Sequence, residues 1–251
     1  MSRRFTGLKA IFKREFKGYF SSPLGYIFIV IFLVASGWLT MSRDFGRFLE
    51  LRQASLDSFF VYIPWLFVVL VPAVAMRLWA EERKTGTVEL LFTLPVTLEA
   101  SYLGKFLAGW CFLIFSLFLG AVPLVFQVAR LGDPDWGTIF AGYLGCALLA
   151  AAYLAVSMLF SAVTKNQVVA FILGTAAAVL FLIIGLPQSL QTVGDLLGGY
   201  AEQVLQSLSL SDHFETLTRG LLELGTLAFF LVFTACWLVC GMLALDRTKA
   251  S

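Results

Sequence analysis

The only histidine of the chain, His213, stands in "SLSLSDHFETLTRG" with Asp212 and Glu215 beside it. An imidazole and two carboxylates within four positions are the residue types that hold a divalent metal, but a zinc site needs three or four convergent ligands. A surface loop with one histidine is more often only polar, and no metal site is expected. The four cysteines, Cys111, Cys146, Cys236 and Cys240, lie in apolar runs with no CxxC spacing, as packing residues with free thiols do. There is no GxxxxGK[ST] phosphate loop, no GxSxG elbow and no HExxH pair. The chain is therefore expected to be no enzyme and to carry no cofactor of its own.

A different kind of chemistry is offered by "AEERKTGTVELLFTLPVT", residues Ala80–Thr97. Alternating charges lead into a Thr-Gly-Thr turn, and Val88, Leu90, Leu91, Phe92 and Leu94 follow before Pro95. Thr85 or Thr87 can cap a helix, Gly86 allows a tight turn, and Glu89 sits where the helix dipole favours an acid. Pro95 disfavours helix at Leu94, which leaves about two turns, too few to be stable alone in water. So short an apolar helix needs a surface: the ends of its own bundle or a groove in another protein.

The elements that must position this stretch are set by composition. Apolar residues make up 59% of the 251 positions, against roughly 45–50% in soluble domains, so the chain is an integral membrane protein. Six stretches approach the ~20 apolar residues that cross a bilayer: about 24–41, 59–76, 106–129, 139–163, 168–186 and 221–245. Runs such as "YIFIVIFLVA" are apolar on every side, which excludes the alternation of a transmembrane barrel. The fold class is thus all-α, a single transmembrane domain over 1–251, with kinks expected at Pro64, Pro72 and Pro123.

Orientation follows from the basic residues. Thirteen of the 18 fall in segments on one face: Arg3, Arg4, Lys9, Lys13, Arg14, Lys17, Arg77, Arg83, Lys84, Lys105, Lys165, Arg247 and Lys249. Short loops rich in Lys and Arg stay in the cytoplasm, so both termini and the 80–97 segment face inward. Residues 1–22 interleave charges with Phe5, Leu8, Phe12, Phe16 and Tyr19 at helical spacing. That pattern is an amphipathic helix lying in the interface with its lysines reaching the headgroups, not a cleavable signal peptide. Outside, 187–220 holds short amphipathic helices split by Gly198-Gly199. A net charge of +2 gives no general attraction to nucleic acid.

Charges occur only near the span ends, at Arg77, Arg130, Glu223 and Asp246. Ion-coupled transporters carry intramembrane carboxylates or histidines, so a transporter built on these spans draws its energy from another subunit.

"EERKTGTVELLFTLPVT" between the second and third spans resembles the cytosolic signature of ABC-2 type permeases, the membrane subunits of type V ABC transporters. "IFKREFKGYFSSPLGYIF" and "SDHFETLTRGLLEL" are similar to the GldF-like gliding-motility branch, with the nitrous-oxide-reductase maturation permeases more distant. The resemblance implies that the short helix is a coupling helix docking into a cytosolic ABC ATPase through Glu81, Glu82, Arg83, Lys84, Thr85, Gly86, Thr87, Glu89, Leu90 and Leu91. The turn Thr164, Lys165 and Asn166 would be a lesser second contact. It further implies ATP and Mg on the partner ATPase, a second permease copy or paralogue, a location in the bacterial inner membrane and, in this branch, a GldG-like auxiliary membrane protein. The implied function is ATP-driven export; the alternative is a force-transmitting or scaffolding subunit acting on an extracytoplasmic partner.

The charge asymmetry makes a direct prediction. With single cysteines in a background lacking native thiols, one at Asp133 is labelled by an impermeant reagent in intact cells and one at Lys84 is not; equal labelling overturns the topology.

Overall fold

The computed structural model describes residues 2–46, 48, 54–87 and 97–247, and among these every regular element is a helix. In chain order they are α1 (Ser2–Ser21), α2 (Pro23–Met41), α3 (Asp57–Phe60), α4 (Ile63–Thr85), α5 (Leu98–Leu131), α6 (Trp136–Val163), α7 (Gln167–Ile184), α8 (Pro187–Leu197), α9 (Gly199–Ser207), α10 (Leu210–Thr218) and α11 (Leu224–Arg247). Six of them, α2, α4, α5, α6, α7 and α11, are long and apolar enough to cross a membrane.

The helix starts are written in short polar residues whose side chains satisfy the otherwise unpaired first-turn amides. Ser22 accepts from Leu24 N, Thr97 from Ala100 N, Asn166 from Val168 N and Ser209 from Asp212 N. Asp135 accepts from the amides of Gly137 and Thr138 and from the Thr138 hydroxyl, which together hold its carboxyl below the usual range.

Two helices begin or end away from the limits of their apolar runs. Phe59 and Phe60 belong to the short α3, and α4 starts at Ile63 and continues to Thr85. Pro64 lies in the first turn of α4, where a missing amide costs nothing, so it opens the helix and does not kink it; Pro72 and Pro123 lie inside α4 and α5. Thr97 starts α5 two turns ahead of the apolar run beginning at Phe106, giving a helix of 34 residues. Between 187 and 220 the chain forms α8, α9 and α10, with Gly198 at φ +90° separating the first two.

The core is built around α6. Every residue from Leu149 to Met158 is buried, with α4, α7 and α11 packed around them. Small residues permit this crowding, because in a bilayer helices gain contact chiefly by letting backbones approach. A side chain on Gly142 would run into the Phe60 ring, and one on Gly145 would press on Leu217. By contrast α2, α7 and α11 bury only about a quarter of their apolar windows, as helices facing lipid do.

Near one end, Ser161 of α6 ties directly into the backbone of α4. Its Oγ accepts from the amides of Trp79 and Ala80, both at 3.1 Å, and donates to the Met76 carbonyl at 3.0 Å. This contact fixes the height of α4 against α6. Ser161→Ala is expected to cost about 1 kcal/mol through the lost hydrogen bonds, and Ser161→Leu a further ~1–3 kcal/mol through overpacking. Thermal unfolding of the detergent-solubilised protein checks the order wild type, Ala, Leu.

Candidate functional site at the end of α4

The charged run Glu81–Lys84 does not form a free-standing loop. It is the last turn of α4, and its side chains divide between the bundle and solvent. Glu82 turns inward to Lys105 of α5, whose ammonium is 2.8 Å from Glu82 Oε1 and donates to the Leu78 carbonyl at 2.8 Å. Lys105 is 2% exposed and lies 5.0 Å above the Trp79 ring, which stacks on Tyr102. From α1, Glu15 comes within 3.5 Å of the same ammonium, and Arg14 reaches both Glu15 and Glu82. Two cations and two carboxylates therefore join α1, α4 and α5.

The neighbouring charges are also engaged within the chain. Arg77 donates to Glu81 at 3.2 Å and to the Ser22 hydroxyl at 3.4 Å. Arg83 donates to the carbonyl of Ala162, immediately before the turn that joins α6 to α7. That bond brings the end of α4 to Thr164, Lys165 and Asn166. Thr164 and Asn166 serve as caps there, while Lys165 is exposed.

Past Arg83 the described residues of this segment face outward. Lys84, Thr85, Gly86 and Thr87 are exposed. Gly86 closes α4 in the left-handed conformation at φ +73°, ψ +3°, with open space where a Cβ would stand. The requirement for glycine is thus conformational. The Thr85 hydroxyl donates to the carbonyls of Glu81 and Glu82, and that of Thr87 to Glu82, so both threonines satisfy the carbonyls at the end of α4. Glu89, Leu90 and Leu91, with the rest of 88–96, lie outside the described residues.

Lys105, Glu15 and Ser161 are participants that inspection of the sequence passes over. Glu15 is the one acid in an otherwise basic α1, which is a signal in itself. The Thr97-Leu98-Glu99 start of α5 places Lys105 two turns inside a helix, so this lysine is not part of a connecting loop.

At the opposite end of the bundle, His213 and Glu215 turn to different partners. The His213 ring stacks on Phe229 with centroids 4.0 Å apart, and its Nδ1 lies 2.8 Å from the Ser209 carbonyl. Glu215 pairs with Arg219. No group of three or more His, Cys, Asp or Glu side chains able to hold a metal occurs among the described residues.

A family model described as ABC-2 family transporter protein matches residues 41–197, more than half of the 251 positions. Among the curated proteins, none matches the chain.

Removing one partner from a desolvated ion pair costs about 3–5 kcal/mol, because the other charge is left uncompensated; with Glu82 and Glu15 near one-fifth exposed, the lower end applies. Lys105→Met should therefore lower the unfolding midpoint markedly, and adding Glu82→Gln should recover part of the loss. A coupling of about 1–3 kcal/mol in the double-mutant cycle is expected; strict additivity would remove the pairing.

Proposed function

The chain belongs to the ABC-2 family of transporter proteins, and on that premise we propose that it is the permease subunit of an exporter whose coupling surface is the exposed end of α4. Members of this family are membrane components and not themselves ATPases, and their ATPase partners are separate subunits. ATP and Mg belong to that partner, and the substrate crosses the bacterial inner membrane.

The observation that carries this reading is the division of labour in the last turn of α4. Glu82 and Arg83 are held by Lys105 and by the Ala162 carbonyl, which supplies a rigid base. Lys84, Thr85, Gly86 and Thr87 are left facing solvent and lead into the apolar residues Leu90 and Leu91. Arg83 also draws the Thr164–Asn166 turn toward the same surface, so the two docking segments stand together. Glu81 and Glu82 act from beneath, as braces. The excess of Lys and Arg in these segments supports a cytoplasmic position for this end of the bundle.

A lone six-span bundle offers half a pathway, so a second copy or a paralogue completes the membrane unit. The segments "IFKREFKGYFSSPLGYIF" and "SDHFETLTRGLLEL" support the GldF-like branch, in which a GldG-like protein would be an additional partner.

Gly86→Val forces a β-branched residue into a left-handed conformation, whereas Gly86→Asn places there a residue that tolerates it. The Val variant is expected to insert normally, to lose copurifying ATPase by tenfold or more and to lose transport-linked function, with the Asn variant close to wild type. Leu90→Asp should match Gly86→Val, since it puts a carboxylate against an apolar groove. Wild-type ATPase retention in both Gly86→Val and Leu90→Asp would return this segment to a passive role.

A further inference from the structure

Between α1, α2 and α4, beside the coupling surface, lies a cleft of about 280 Å³. Its mouth is polar, lined by Ser22, Arg77, Glu81 and Glu15. Its walls are apolar: Leu24, Ile27 and Ile31 come from α2, Leu70 and Val74 from α4, and Phe112 of α5 lines it from behind. Leu24 to Ile31 and Val74 back to Leu70 run antiparallel and away from the charges. The α2 side alone carries the cleft about 10 Å inward at 1.5 Å per residue. Ser22 and Pro23 mark the junction between α1 and the membrane-length α2, so the mouth lies at the end of a span and the walls descend along it.

From this arrangement we propose that the cleft binds a phospholipid with an ethanolamine headgroup. The phosphate meets the Arg77 guanidinium, which donates to the Ser22 Oγ at 3.4 Å and to Glu81 at 3.2 Å, so that a cation and an anion stand side by side at the mouth. The primary ammonium, with its three N–H donors, meets the carboxylate of Glu81, whose side chain is 46% exposed, with Glu15 behind it. One acyl chain lies between α2 and α4. Charge complementarity selects this occupant. A purely anionic headgroup would satisfy Arg77 but face Glu81 and Glu15, and a quaternary ammonium would offer no hydrogen to either carboxylate. The lipid would wedge α1 against the spans, because both Glu15 and Tyr19 of α1 line the cleft. The cleft shares Glu81 with the base of the coupling surface, so its test reads lipid retention and not ATPase recovery.

The full chain in detergent is titrated with phosphatidylethanolamine, phosphatidylglycerol or phosphatidylcholine of matched chains and followed by native mass spectrometry and thermal shift. Wild type should retain phosphatidylethanolamine at least tenfold better than the other two and gain several degrees on binding. Arg77→Gln should lose retention, Arg77→Lys should recover part of it, and Glu81→Gln should erase the preference over phosphatidylglycerol. Ala73→Trp fills the cleft while leaving the charges in place, and should abolish retention. Equal retention of the three lipids by wild type would overturn the proposal whether or not any variant folds. So would unchanged binding in a folded Ala73→Trp variant, or equal binding of phosphoethanolamine or inorganic phosphate alone.

Discussion

A lysine ammonium withdrawn from water has to be met by opposite charge, and Lys105 imposes that condition on three helices at once. Its own helix cannot supply a carboxylate at the required height, so one comes from the end of α4 and one from α1. Arg14 then balances the second acid. The arrangement orders what would otherwise be loosely related pieces: the amphipathic first helix, the terminus of one span and the entry of the next. Buried ion pairs give little net stability compared with apolar packing. Here the gain is in placement, since only one height of α4 and one position of α1 satisfy the ammonium together.

The remaining positional information comes from small residues. Ser161 engages the α4 backbone just above the charged turn, and the glycines of α6 let Phe60 and Leu217 approach from α3 and α10. The span that packs most tightly is thus the one that holds the charged end of α4, while α2, α7 and α11 leave most of their apolar windows uncovered. Beyond Arg83, Lys84 to Thr87 are exposed, and the two threonines return their hydroxyls to the carbonyls of Glu81 and Glu82.

Much of this was legible in the residues. Six apolar runs, a helical first segment and the break at Gly198 are all direct expressions of periodicity and composition. Hydropathy placed the helix limits less well, because a helix does not stop where its apolar residues stop. The last turns of α4 and the first turns of α5 are polar continuations, marked by Gly86 and Thr97 and not by hydrophobicity. For the same reason Glu81, Glu82 and Arg83 looked like a uniform charged strip. Which of them turns inward depends on Lys105 and Ala162, residues far away in sequence, and a one-dimensional pattern has no access to that pairing.

The length of α5 has a mechanical consequence. Its 34 residues make a rod of about 51 Å at 1.5 Å per residue, whereas the hydrocarbon layer is only about 30 Å thick. Standing upright it must overhang the bilayer, and α1 lies along it through the Ile11–Gly104 and Tyr19–Phe112 contacts. Thr97 opens this rod, its side chain accepting from the Ala100 amide. The overhang falls at the polar start of the helix, before the apolar run that begins at Phe106, so the charges gathered around Lys105 stand at the edge of the hydrocarbon layer and not within it.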